Sequence, residues 1–305
     1  MDDYFYPYKI AGQEFPDEKA FAKEPRQFKD KDDWRRDNVD LIIKQIRDTI
    51  IANKPEVEFG ISPFGVWRNS AKDSEGSKTS AGATNYDDLY ANILKWQKEN
   101  WIDYVTPQLY WHIGFDKANF EVLAKWWAEH KYGTNIYVGH GEYKLSATAK
   151  EPEWRSPDQI VKQIEMIRKL PQIDGSMHFT ASNFLKKGDT LRQPLTQKVY
   201  KYIALTPEAN RITRLKPEPP TNAVIAKKGN NAVLTWKAAF NDKKYVIYRF
   251  PKGRITDFSN PENIYYVTTA LKLEVPNADL ENYVYAVTAL SQTQTESSPV
   301  EFTTK

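Results

Sequence analysis

The sequence has 305 residues, a formal net charge of +3 and no cysteine. Its length suits one large domain or two unequal ones, and so small and dispersed a charge argues against a nucleic-acid partner. The lack of cysteine excludes disulfides, thiolate metal sites and a cysteine nucleophile. No apolar run of about 18 residues occurs, so we expect no transmembrane segment.

Helix and strand patterns alternate through the first two thirds of the chain. Apolar residues from Val39 to Ile50 recur at helical spacing, after Asp32 and Asp33 as candidate N-caps. Short apolar runs, one of them closed by Pro63, indicate buried strands. We predict helices at 34–53, 86–100, 115–130, 157–170 and 194–204. We predict strands at 57–63, 103–110, 135–139 and 175–180.

This alternation is typical of βαβ units around a parallel sheet. The strands recur roughly every 32–45 residues, a spacing that suits a (β/α)8 barrel. The opening residues, MDDYFYPY, look like the tail of one further strand. The pattern therefore predicts an α/β fold that forms part of a TIM barrel.

A proline-rich stretch at 215–220 separates this region from a different pattern. Three of its six residues are proline, which makes it stiff and extended. Beyond it, apolar residues alternate with period two, as in a β-sandwich of the fibronectin or immunoglobulin kind with Trp236 in its core. We predict strands there at 223–226, 232–236, 245–250, 265–268, 271–275, 283–290 and 300–303.

Polar and aromatic clusters follow the predicted barrel strands. In barrels, catalytic and binding residues lie at the carboxyl ends of strands and in the loops after them. Aromatic rings at such positions can stack on sugars while planar polar groups hydrogen-bond to hydroxyls, although Tyr and Trp can equally fill a core. The candidate substrate-binding residues are Tyr4, Tyr6, Trp67, Arg68, Asn69, Gln108, Tyr110, Trp111, His140 and Tyr143.

Several strings in this region resemble one known family. They are, in order, DDYFYPY, WRRDNVDLII, FGISPFGVWRN, DYVTPQLYWH and IYVGHGEY. Together they resemble the glycosyl-hydrolase-like 10 family, bacterial barrel proteins of the cell envelope, over about residues 1–206. The resemblance implies a carbohydrate substrate and a location in the bacterial envelope, whether periplasmic, lipoprotein or secreted.

The resemblance also sets expectations about domain organisation. Family members carry the first barrel strands upstream of the DDYFYPY string, which closes their fourth strand, and often end in a fibronectin-like domain. We therefore expect a C-terminal part of a TIM barrel at 1–214, lacking its N-terminal strands and any secretion signal. The linker at 215–220 and a fibronectin type III-like sandwich at 221–305 follow.

Glycoside hydrolysis usually needs two carboxyl groups across the scissile bond. Asp2 and Asp3 are candidates, and because neighbours in a strand point to opposite faces, we expect only one of them to enter the site. The alternative is a solvated terminal pair. Glu142 is a candidate proton donor beside His140 and Tyr143, or else a surface loop glutamate.

Other polar residues leave alternatives open. Arg68 could bind a carboxylated sugar or a loop carboxylate, and His112 could be packed or active. The four histidines show no metal spacing, and neither a glycine-rich phosphate loop nor a GxSxG motif occurs. We therefore expect no cofactor.

The sequence thus predicts a glycoside hydrolase that cleaves a polysaccharide or peptidoglycan glycan with carboxylate acid/base groups. One alternative is a barrel that binds carbohydrate without turning it over, and another is an inactive, truncated fragment. The C-terminal sandwich shows no catalytic cluster and is expected to be a spacer or to dock the protein to the envelope or to glycan.

Overall fold

A four-stranded parallel sheet organises the first part of the chain in the computed structural model, which describes residues 1–209, 212, 216–238 and 244–304. Its strands, in spatial and chain order, are β1 (Gly60–Ile61), β2 (Tyr104–Val105), β3 (Asn135–His140) and β4 (Gly175–His178). Each neighbouring pair is parallel, with His140 opposite His178 at the carboxyl edge. Parallel pairing in chain order agrees with the predicted βαβ units.

Helices connect and cover these strands. They are α1 (Glu18–Lys23), α2 (Lys31–Asn53), α3 (Asn85–Asp88), α4 (Ile93–Lys98), α5 (Phe120–Glu129), α6 (Asp158–Ile167), α7 (Ala181–Lys187) and α8 (Asp189–Lys198). The N-cap of α2 is Asp30, whose carboxylate accepts the backbone N–H of Asp33, so the capping prediction was wrong by two or three residues.

Three helix predictions differ from the structure. The helix predicted at 115–130 begins only at Phe120, after the N-cap Asn119. The segment 86–100 forms α3 and α4 as separate helices, because Tyr90 between them adopts the left-handed conformation at φ 56° and Asn92 caps a new start. Only the first part of the helix predicted at 194–204 is helical. It forms the end of α8, which stops at Lys198.

One face of the sheet forms the core of this first unit. Ile61, Val105 and Ile136 are fully buried and share one apolar cluster with residues of α2, α4 and α5. Burial of apolar surface in this core contributes about 25 cal/mol per Å² to the free energy of folding. Because alternate side chains point to opposite faces, Ser62 and Tyr104 lie on the other face, away from this core.

Two further sheets form the C-terminal part of the chain. One has the order β11-β10-β7-β8 and the other β12-β5-β6-β9. The strands are β5 (Thr221–Lys228), β6 (Asn231–Lys237), β7 (Lys244–Pro251), β8 (Ile264–Thr268), β9 (Lys272–Pro276), β10 (Tyr283–Leu290), β11 (Val300–Glu301) and β12 (Thr303–Thr304), with a short helix α9 (Asp279–Asn282). Trp236 is 4% exposed and contacts the rings of Tyr245 and Phe302.

The chain divides into two units, Met1–Val199 and Tyr200–Lys305. Each has apolar clusters of its own. Residues 213–215, where the predicted barrel domain ends and the predicted linker begins, lie outside the described residues.

Candidate functional site

The first residues of the chain lie along the free edge of β1. The amino group of Met1 donates to the carbonyl of Gly60 at 2.7 Å, and the N–H of Ser62 donates to the carbonyl of Met1 at 2.7 Å. This is the hydrogen-bond pattern of a parallel neighbour. It carries Asp2 and Asp3 to the carboxyl end of the sheet, where the chemistry of barrel proteins is found.

An open cleft of about 610 Å³ lies over this end of the sheet and its second face. Both aspartates line it. Strict alternation predicted that only one would do so, but the chain bends at Asp3, where its carbonyl accepts the N–H of Phe5 at 3.1 Å. The two carboxylates therefore reach the same cleft from neighbouring positions.

The two aspartates differ in environment. Asp2 is exposed, and its carboxylate accepts the side-chain amide of Gln108 at 2.8 Å. Asp3 is 6% exposed and accepts the hydroxyl of Tyr8. Burial, followed by the hydrogen bond to Asp3, raises the pKa of Tyr8, so this hydroxyl stays a donor at neutral pH. Asp3 is thus a buried, anchored carboxylate, whereas Asp2 is open to solvent.

Aromatic rings line the cleft opposite the aspartates. Tyr110, Tyr143 and Phe179 form a cluster with ring centroids 5.8–6.0 Å apart. Tyr143 and Phe179 are each about half exposed, and Tyr4 is 78% exposed. Burial raises the pKa of Tyr110, with Asp2 adding to the effect. Rings presented in this way offer apolar faces to a ligand, while the hydroxyls of the tyrosines remain hydrogen-bond donors.

Glu142 lies behind the cleft wall. It is fully buried, and its Oε1 is hydrogen-bonded to Nδ1 of His178, a residue that lines the cleft. Its neighbour His140 is also fully buried, held by Gln163 at 2.9 Å and by Ser176 at 3.1 Å. Burial, with a smaller effect of His178, lowers the pKa of His140 to about 3, so His140 is neutral at physiological pH.

The structure brings six of the sequence-predicted site residues into the cleft. They are Asp2, Asp3, Tyr4, Gln108, Tyr110 and Tyr143. Glu142 reaches it only through His178. His112, for which two roles were open, is 8% exposed and packs against the rings of Phe115 and Trp154.

Other predicted residues lie elsewhere because β1 ends at Ile61, earlier than the pattern indicated. Trp67 is 4% exposed and stacks on Trp126. Arg68 pairs with Asp73 at 2.8 Å and Asp87 at 2.9 Å.

Asn69 organises the loop that follows. It accepts the hydroxyl of Thr79 at 2.8 Å and the N–H of Ala81 at 3.0 Å. Side-chain bonds of this kind stabilise a loop in place of strand pairing, and they occupy the amide that was predicted to bind sugar.

Tyr6, Trp111 and His140 also lie outside the cleft lining. Tyr6 packs against Phe15 and accepts the amide of Asn38 at 3.2 Å. Trp111 contacts the ring of Phe64. His140 is buried behind the wall, so its role in the geometry is to hold neighbouring groups.

The cleft also contains residues that the sequence did not single out. Ser62, Tyr104, Thr106 and Tyr8 line its floor and side, and His178 and Phe179 its wall. Strand alternation could have found Tyr104 and Thr106, since they share a face with Gln108. His178 carries no local signal, because its partner Glu142 lies 36 residues away.

Neither a metal cluster nor a membrane span is evident in the parts of the chain that the structure describes. No group of three His, Asp or Glu side chains there could hold a metal ion. In the same residues, no helix combines the length and apolar character needed to cross a membrane.

Comparison with known proteins shows the family. The family described as glycosyl hydrolase-like 10 matches residues 1–156, and this chain belongs to it. The resemblance of the sequence strings is thereby confirmed.

Two curated relatives extend the match. Glycosyl hydrolase YngK of Bacillus subtilis (strain 168) is 40% identical over 316 residues, which cover 100% of this chain and 61% of the relative. Glycosyl hydrolase DigH of Escherichia coli (strain K12) is 37% identical over 209 residues, covering 67% of this chain and 46% of the relative. The chain thus spans about half to three fifths of these relatives.

Solved structures are less similar. Bacteroides uniformis beta-glucuronidase 2 aligns over 93% of this chain and 33% of its own, with 9% sequence identity and a TM-score of 0.37. A likeness of this size carries no conclusion about the site.

Proposed function

We propose that this chain is a glycoside hydrolase whose site is the cleft at the carboxyl end of the parallel sheet. One observation carries the proposal. Two aspartates, one buried and anchored and one solvated, face a cluster of exposed aromatic rings across a cleft in a chain of a glycosyl-hydrolase-like family. Carboxylates beside a platform for sugar rings are what glycosidic cleavage requires.

The roles of the carboxylates follow from their environments. Asp3 is held by Tyr8 and would act on the anomeric carbon, either by attacking it or by activating water. Asp2, held by Gln108, would bind hydroxyls or assist the water. The Glu142–His178 pair lies in the opposite wall and would serve the leaving oxygen. The substrate class we propose is a polysaccharide or peptidoglycan glycan.

A carbohydrate-binding protein without turnover is the second candidate. This candidate is favoured by the position of Glu142. The carboxylate predicted to be the proton donor is fully buried and does not itself line the cleft. A site with carboxylates on only one side would hold sugar without protonating the leaving group.

The wider architecture is also part of the proposal. The parallel sheet is proposed as part of a (β/α)8 barrel, since strands and helices alternate and the cleft lies at the carboxyl edge. The two C-terminal sheets are proposed to form a fibronectin type III-like module that docks to envelope or glycan. The envelope location stays a prediction.

Asparagine variants test the function. Reducing-end release and binding would be measured separately on isolated peptidoglycan glycan strands for wild type, Asp2→Asn, Asp3→Asn and the exposed-loop control Asp116→Asn. We expect Asp3→Asn to lose at least about 100-fold in cleavage with binding within about threefold, since an amide is a far weaker nucleophile and base. Unchanged cleavage in both cleft variants would sink the assignment, and binding without cleavage by wild type would favour the second candidate.

A further inference from the structure

His178 and Glu142 form a paired unit between the core and the cleft. His178 ends β4 and lines the cleft, with its side chain 19% exposed. Glu142 is fully buried behind it and bonds through Oε1 to the ring Nδ1. One member can therefore touch a ligand, and the other can act only through its partner.

The pairing is needed because a buried carboxylate is costly. Transfer of a charge out of water is tolerated only where a partner compensates it. No donor from the described residues reaches Oε2 of Glu142, so His178 is the partner that the structure shows for this charge. In return, the carboxylate accepts from Nδ1 and so fixes which ring nitrogen carries the inner proton.

Two neighbouring rings hold the imidazole in place. The ring of His140 stacks on that of His178 at 5.5 Å, and Phe184 of α7 packs edge-on at 5.3 Å. His140 is neutral at physiological pH, as shown above. The titratable groups that line the cleft with His178 are the amino group of Met1, the carboxylates of Asp2 and Asp3, and the hydroxyls of Tyr4, Tyr8, Tyr104, Tyr110 and Tyr143.

We propose that His178 is the proton donor to the leaving glycosidic oxygen, and that Glu142 is a positioning residue that acts through it. This inference rests on the proposed function and assigns the acid role to the imidazole, whereas the sequence suggested Glu142. An acid is then present in the cleft wall at His178, where Glu142 itself does not line the cleft.

The step balances with water as the co-reactant. The imidazolium gives its outer proton to the glycosidic oxygen as the bond from that oxygen to the anomeric carbon breaks, and the bonding pair stays on oxygen. Water adds to the anomeric carbon and loses a proton to an aspartate, which completes hydrolysis either directly or through a glycosyl-enzyme intermediate. Proton exchange with solvent restores His178 and the aspartate.

Kinetics of four chains would test this assignment. The variants are His178→Ala, Glu142→Gln and His130→Gln beside wild type, with isolated peptidoglycan glycan strands as substrate. His130 stacks on Trp126 and lies outside the cleft lining, so it is a matched control. We expect His178→Ala to lose about 100-fold or more in kcat with KM within about threefold, the range typical of a lost general acid.

Two readouts separate proton donation from simple support of the fold. Added imidazole should restore part of the rate of His178→Ala, and the alkaline limb of the pH–rate profile should vanish in that variant. Glu142→Gln should lower kcat by about 10-fold or more with KM within about threefold, because a neutral amide no longer fixes which ring nitrogen carries the inner proton. His130→Gln should match wild type in all respects.

Different outcomes would overturn the role of His178 alone or the proposed function as well. Cleavage that persists in His178→Ala, or a lost rate that imidazole does not restore, would overturn the role of His178 and leave the glycosidase proposal standing. A wild-type chain that cleaves no glycan would overturn the proposed function and this inference together.

Discussion

At the scale of single residues, buried charges carry much of the specificity of the first unit. Arg35 is 2% exposed and donates to both oxygens of Asp17, at 2.8 and 2.7 Å, and to the hydroxyl of Tyr90 at 2.7 Å. Such a pair ties α2 to the segment before α1. Its value depends on both partners being present, since removal of one leaves a buried charge.

We expect Arg35→Met to lower the free energy of unfolding by about 3–5 kcal/mol, because Asp17 would lose both hydrogen bonds to the guanidinium and keep the more distant Lys31, at 3.9 Å, as its charged neighbour. Arg47→Met is the matched control, since Arg47 pairs with Asp48 at the surface, where ion pairs contribute about 0–1 kcal/mol. Urea titration of both variants gives the comparison. Equal losses would show that burial does not set the value of the Arg35 pair.

His140 makes the stability of the first unit depend on pH. Its folded pKa of about 3 lies below the unfolded value of 6.5, so the unfolded chain binds the extra proton first. This contribution to stability is complete above about pH 6.5 and declines as pH falls toward 3, by up to about 1.4 kcal/mol per pH unit. Urea titrations from pH 7 to 4 should show a shallower decline in His140→Gln; identical slopes in both chains would contradict the effect.

At the scale of elements, the floor of the cleft depends on close packing between β1 and β2. A Cβ added at Gly60 would lie 2.3 Å from the ring of Tyr104, which lines the cleft. Only glycine lets that ring lie across the strand. The shape of the cleft is therefore set by a residue without a side chain.

Replacement of this glycine should disturb the cleft floor. We expect Gly60→Ala to cost about 1–3 kcal/mol and to weaken glycan binding, since the ring must move. Gly82→Ala is the control, because its added Cβ would meet no atom within 4 Å. Denaturant titration and binding to glycan strands would be measured on both. A Gly60→Ala chain that binds as tightly as the control would contradict this view of the floor.

The strand ends show how much of the site a sequence can predict. Gln108 and Tyr110 lie in the cleft because they follow a strand whose carboxyl end faces it, while their role in binding substrate stays a prediction. Trp67 was misplaced because apolar spacing marks a strand without fixing its last residue. His178 was missed since its meaning depends on Glu142, a partner distant in sequence. Periodicity predicts helices and strands, whereas contacts between residues distant in sequence determine which side chains meet at the cleft.

At the scale of the whole molecule, each unit has its own apolar core. Trp236 belongs to the core of the second unit, and Ile61 and Val105 to that of the first. Alternation of helices with strands predicted the α/β character of the first unit, and period-two spacing predicted the strands of the second.

Loss of a core side chain should stay within its unit. We expect Trp236→Ala to destabilise the second unit by about 3–5 kcal/mol, the usual cost of a large core truncation. Hydrogen exchange should then speed up in β5 and β6, with β2 and β3 unchanged. Faster exchange in both units would show that they do not unfold separately.

The most direct test of the central claim, hydrolysis of a glycosidic bond in this cleft, is mass spectrometry of glycan fragments produced in oxygen-18 water. We expect wild type to release fragments with one oxygen-18 at each new reducing end, and an Asp2→Asn, Asp3→Asn double variant to release none. No fragments from wild type, or fragments without the label, would contradict it.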